Sequence, residues 1–137
     1  MTVSAVRQPS TSPAPNELLR EEDATPAMTV RRRLVGHRTI LAVTGEVDLA
    51  TAPELGSAVD MALASGAQEL WLDLSATAFM DSSGLHVLLD AHRRMRGLSR
   101  RLAIVCPGGA VRRLFEIAGV AGALPLYEDC AAAHRDA

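Results

Sequence analysis

Leu70-Trp71-Leu72-Asp73-Leu74, followed a few residues on by Phe79-Met80-Asp81-Ser82-Ser83-Gly84-Leu85, decides the fold of this chain. The first segment reads as a buried strand. The second is a polar turn that opens an amphipathic helix, with Leu85, Leu88, Leu89 and Met95 along one side and His86, Asp90, Arg93 and Arg94 on the other. Asp90 and Arg94 stand i, i+4 and are expected to pair. Gly97 is the expected stop.

Upstream, Met28-Thr29-Val30 and Leu34-Val35 are strand-like, and Gly36-His37-Arg38 reads as a hairpin turn. Thr39 to Thr44 is a second strand, apolar on both faces and therefore interior to a sheet. Gly45-Glu46-Val47-Asp48 is expected to end it. Thr51-Ala52-Pro53-Glu54 then reads as a capping box, with Thr51 as N-cap and Glu54 at N3. Leu55, Ala58, Val59, Ala62 and Leu63 give the next helix its apolar stripe, and Gly66 its stop.

Downstream, Leu102 to Cys106 is a fourth strand. Gly108-Gly109 opens a third helix with Val111, Leu114, Phe115 and Ala118 inward. Leu124-Pro125-Leu126 is an edge segment, and a short helix is expected between Glu128 and His134. Helices alternating with strands predict an α/β domain. Its sheet is mixed and mostly parallel, of four to five strands, with helices packed around it and right-handed crossovers. The loops Gly45–Ala50, Ser75–Asp81 and Pro107–Gly109 then share the carboxyl edge, where open α/β sheets build sites. That edge brings Ser82 beside Asp48 and Thr51.

The 137 residues allow one domain. Residues 1–26, with four prolines, several Ser/Thr and the acidic run Glu21-Glu22-Asp23, read as a disordered tail, leaving 27–135 as the domain. A net charge of −2 gives no field that selects nucleic acid or an anionic membrane. Arg31-Arg32-Arg33 and Arg93-Arg94 read as solvated local clusters. No apolar run approaches the length of a membrane span and no secretory signal precedes the domain, so a cytoplasmic protein is expected. Cys106 and Cys130 have no metal-like spacing and read as free thiols.

No metal or cofactor set emerges. His86 and His92 stand six apart, too far round a helix to chelate together. A Ser-His-Asp hydrolase would want a Gly-x-Ser-x-Gly elbow, which is absent. Gly108-Gly109 lacks the context of a phosphate loop and reads as a turn. Ser82 is the chemically distinctive group. A hydroxyl at a helix N-terminus sits where backbone N–H groups and the helix dipole favour negative charge, a good place for a reversible phosphate. The plainer alternative is that Asp81, Ser82 and Ser83 merely cap the helix.

Thr44-Gly45-Glu46-Val47-Asp48, Leu72-Asp73-Leu74, the Phe79 to Leu85 turn and Val111-Arg112-Arg113-Leu114-Phe115 together resemble the STAS domain of bacterial anti-sigma factor antagonists, over about Met28 to Glu128. The resemblance implies a binding module, not an enzyme. Unphosphorylated, such a protein holds an anti-sigma factor that is also a serine kinase, and so frees a sigma factor. That kinase phosphorylates the first serine of the Asp-Ser-Ser-Gly turn, and a serine phosphatase reverses it.

Carried over residue by residue, the acceptor falls on Ser82. Asp81 and Ser83 fall on its flanks, and Gly84 on the small residue that admits the partner. Asp48 and Thr51 are candidate partner contacts. His86 stands where the family often has a small residue, close enough to tune partner choice. The implied partners are thus an anti-sigma factor with kinase activity and a phosphatase, with no direct contact to nucleic acid or membrane. The competing readings are a STAS accessory module of a transport system or a stress-signalling scaffold, without a phospho-switch.

Overall fold

The computed structural model describes residues 26–136, so the expected N-terminal tail lies almost wholly outside the described residues. Five strands form one sheet in the order β1-β2-β3-β4-β5. They are β1 (Met28–Val35), β2 (Arg38–Val47), β3 (Glu69–Met80), β4 (Arg101–Val105) and β5 (Leu126–Tyr127). β1 and β2 make an antiparallel hairpin across Gly36-His37, and every later pair is parallel. The helices are α1 (Ala52–Ala64), α2 (Ser82–Gly97), α3 (Ala110–Ile117) and α4 (Cys130–Arg135).

Because the spatial order follows the chain order, right-handed crossovers put α1, α2 and α3 on one face. The main core lies there. Leu41 and Val43 of β2, Leu70, Leu72 and Leu74 of β3, and Leu102 and Ile104 of β4 meet Leu55 and Val59 of α1, Leu88 and Met95 of α2, and Phe115 of α3. Among the described residues the opposite face carries one helix. Only α4 packs there, setting Ala133 against Ile40, Trp71, Ala103 and Val105. Its rim is polar. Glu69 accepts from Arg38 Nε at 2.7 Å and from Arg101 Nη1 at 3.2 Å, and the Arg38 guanidinium lies 3.9 Å from the Trp71 ring centre.

Three element expectations need correction. β2 does not end at Thr44 but runs on through Gly45-Glu46-Val47. Gly45 has φ +101°, and a Cβ there would stand 2.2 Å from the Ala27 carbonyl oxygen, so only glycine lets β1 begin beside it. Ser75–Met80 is strand, not loop. β3 carries one extra residue against Ala42–Thr44 and another against Gly45–Glu46. Its buried positions accordingly step from Leu70, Leu72 and Leu74 to Thr77 and Met80. Ala118, expected inward, is exposed just past the end of α3.

Candidate functional site

The last paired residues of β2 and β3 are Val47 and Met80. One residue beyond each, the chain turns: Asp48 opens the loop to α1 and Asp81 opens α2. The Asp81 N–H donates to the Val47 carbonyl at 3.0 Å, locking the two exits together. Asp81 is the N-cap of α2 in extended backbone, and its Oδ1 accepts from the Ser83 N–H at 2.8 Å. Ser82 is therefore the first residue of the helix. It is exposed, and its hydroxyl makes no hydrogen bond among the described residues. The capping is done by Asp81, which leaves the Ser82 hydroxyl at liberty.

Asp48 and Thr51 bond to one another rather than standing free. The Thr51 hydroxyl donates to the Glu46 carbonyl at 2.8 Å and accepts from the Asp48 N–H at 2.9 Å. Asp48 Oδ1 accepts from the Ala50 and Thr51 N–H groups at 3.0 and 3.1 Å. The expected capping box is absent: Thr51 makes no side-chain cap to α1, because its hydroxyl is spent on the loop that precedes the helix. The result is a loop closed by its own hydrogen bonds, which follows directly on the strand exit that Asp81 joins.

Gly84 departs from its expected role. It is buried, and a Cβ on it would stand 2.6 Å from Met80 Cγ and 2.8 Å from Val47 Cγ1. Its smallness lets α2 settle onto the ends of β2 and β3, not a partner onto α2. His86 is exposed one turn beyond Ser82, on the rim of a groove between α1 and α2 shared with Asp60, Asp90 and Arg94. Ser83 is half-buried behind Ser82.

Two exposed apolar residues that sequence reasoning did not single out lie close in sequence to Asp48 and Asp81. Leu49, at the tip of the β2–α1 loop, is 78% exposed, and Phe79, next to the Asp81 turn, is 46% exposed. A large apolar side chain between the polar residues Asp48 and Thr51 was the available signal for Leu49. The exposed hydroxyl, the hydrogen-bonded loop and two exposed apolar side chains all belong to the segments at the exits of β2 and β3. By contrast, Cys106 is buried, and burial pushes its thiol up to about 11, away from any nucleophilic role. No helix of the described residues is long and apolar enough to cross a membrane.

Comparison with known proteins agrees with this geometry. The model of the STAS domain family matches residues 26–133. An anti-sigma-B factor antagonist of Listeria monocytogenes is 31% identical over 94 residues, covering 69% of this chain and 82% of that protein. The anti-sigma-F factor antagonist RsfB of Mycobacterium tuberculosis is 33% identical over 81 residues, covering 59% of this chain and 66% of that one. Among solved structures, an anti-sigma factor antagonist from Mycobacterium paratuberculosis superposes with a TM-score of 0.70 at 31% identity, over 75% of this chain and 88% of that one. The antagonist SpoIIAA in its unphosphorylated form shares the fold at 21% identity, with a TM-score of 0.66 over 78% of this chain and 95% of that chain.

Proposed function

The chain belongs to the STAS domain family, and on that premise we propose that it is an anti-sigma factor antagonist switched by phosphorylation of Ser82. Unphosphorylated, it binds an anti-sigma factor with serine kinase activity through the carboxyl edge of the sheet. The contacting residues are Ser82, the Asp48–Thr51 loop, Leu49 and Phe79, with His86 at the rim. Phosphorylation of Ser82 releases the partner, and a serine phosphatase resets the chain. It acts as a regulatory binding module in the cytoplasm rather than as an enzyme.

The observation that carries this reading is the Ser82 hydroxyl. It is exposed at the first position of α2, relieved of capping by Asp81, beside a loop held rigid by Thr51. A phosphate there adds about −1.5 to −2 charges at neutral pH. The helix N-terminus favours that charge, so the fold tolerates it. A partner surface shaped for a small hydroxyl does not. It would have to desolvate a dianion already flanked by Asp81 and Asp48, and each 1.4 kcal/mol so lost is about tenfold in affinity.

Phosphosite mapping by mass spectrometry, on protein taken from its own cells before and after stress, tests the reading. Occupancy at Ser82 that changes with condition supports it. A chain that stays unmodified, or is phosphorylated only elsewhere, replaces it with a constitutive STAS accessory module.

A further inference from the structure

Ser82 and His86 stand i, i+4 on α2, and both are exposed. Asp90 and Arg94 continue the same stripe, and there the spacing is bridged: Arg94 Nη1 lies 3.3 Å from Asp90 Oδ2. Side chains of this stripe therefore reach one another at four-residue steps. We propose that His86 holds the phosphate of phosphorylated Ser82, donating a ring N–H to a phosphate oxygen. The inference rests on the reading of Ser82 as phosphoacceptor and adds the residue that answers the new charge.

Within the chain segments that flank Ser82 in sequence, His86 alone fits that role. From Thr39 to His92 the sequence holds no lysine or arginine. On the β2–α1 loop, the end of β3 and the first two turns of α2, His86 is the only side chain able to carry positive charge. Those same segments carry carboxylates. Asp81 is engaged with the Ser83 N–H, and Asp48 with the Ala50 and Thr51 N–H groups.

The charged groups that share the groove with His86 are satisfied by each other. From α1, Asp60 Oδ1 accepts from Arg94 at 2.7 Å. On α2 itself, Asp90 accepts from Arg93 at 3.0 Å as well as from Arg94. Among the described residues His86 has no side-chain partner. A phosphate on Ser82 supplies one.

A phosphoserine takes up its second proton near neutrality. The positive ring favours the dianionic phosphate, which lowers the pH at which the phosphate takes up its second proton. A permanent cation would hold the phosphate at every pH.

The test uses the full chain with phosphoserine inserted at position 82 during translation, titrated by 31P NMR between about pH 5 and 8. The phosphate midpoint in the His86→Ala chain is expected about 0.2–0.4 pH unit above that of the His86 chain. His86→Arg should bring it back down to the His86 value or below. Equal midpoints with His86 and with alanine, or a rise that arginine does not reverse, overturns the proposal. No kinase is involved, so the result stands apart from whether cells phosphorylate Ser82, which phosphosite mapping decides.

Discussion

The Asp81 N–H and the Val47 carbonyl, 3.0 Å apart, join the exit of β3 to the exit of β2. That bond ties the Asp81 turn to the start of the Asp48–Thr51 loop. On the proposed reading, a partner that grips the loop also meets Ser82. Ser82→Ala is expected to bind a kinase-type anti-sigma partner about as tightly as the unmodified chain. Ser82→Asp is expected to bind at least about tenfold more weakly, a loss of about 1.4 kcal/mol. Isothermal titration calorimetry of both variants decides it. Equal affinities would remove charge at Ser82 as the switch.

Gly84→Ala reverses the usual sign of that substitution in a helix. Alanine inside a helix normally gains about 0.5–1 kcal/mol over glycine. Here its Cβ would stand 2.6 Å from Met80 Cγ and 2.8 Å from Val47 Cγ1. Overpacking of this kind costs about 1–3 kcal/mol. A lowered melting temperature with α2 displaced at its first turn is the expected result; a raised one shows that the Met80 side chain yields.

Thr51→Val removes the hydroxyl that bonds Glu46 and Asp48 while keeping the side chain's shape. The expected loss is about 1–2 kcal/mol in chemical denaturation, with Thr51→Ser closer to the native chain. Faster amide exchange at Asp48 would show the loop loosened, and an unchanged exchange rate would show that the backbone holds it without Thr51.

Burial alone would raise the Glu69 carboxyl, but hydrogen bonds from Arg38 and Arg101, together with their charge, hold it below the usual carboxylate value. A carboxyl lowered in the folded chain contributes stability that is present above its unfolded value and is lost as the pH falls through the folded one. Glu69→Gln should therefore cost stability at pH 7 and progressively less as the medium is acidified below the ordinary glutamate range. Denaturation midpoints across that acid range, compared with the native chain, check it. A constant difference between the two would contradict the assignment.

Cys106 and Cys130 should separate cleanly toward a thiol reagent. With its thiol pushed up to about 11, Cys106 is about one part in a thousand thiolate at pH 8, and it is buried besides. Cys130 is exposed. One equivalent of label under native conditions and two in denaturant is the expected count, read by mass spectrometry.

Much of this architecture is legible in the residues. Alternating apolar positions at Leu70, Leu72 and Leu74 announce a strand, and the Leu55-Val59-Ala62 spacing announces a helix, because each period belongs to one backbone geometry. The end of β3 was not legible for the same reason. Two extra residues shift the pleat, so its inward positions become Leu74, Thr77 and Met80, a spacing that matches no regular strand. Thr51 looked like a cap because the residue pattern Thr-x-x-Glu is local, whereas its actual partner, Glu46, is set by the path of the preceding loop. The inward turn of Gly84 depends on Val47, a residue of another strand, and no local pattern reports such a contact. That a helix opens at Ser82 was legible because Asp81 before it is a strong N-cap residue.

The sheet whose strands lie in chain order has a consequence for how the protein comes into being. Each strand docks beside the one made just before it, so no pairing waits on a distant part of the chain. β2, α1, β3 and α2, with the loops between them that carry Asp48, Thr51 and Asp81, lie between Arg38 and Gly97. During synthesis that half of the molecule can begin to assemble while the ribosome is still adding β4 and α3, with Phe115 arriving late to close the core.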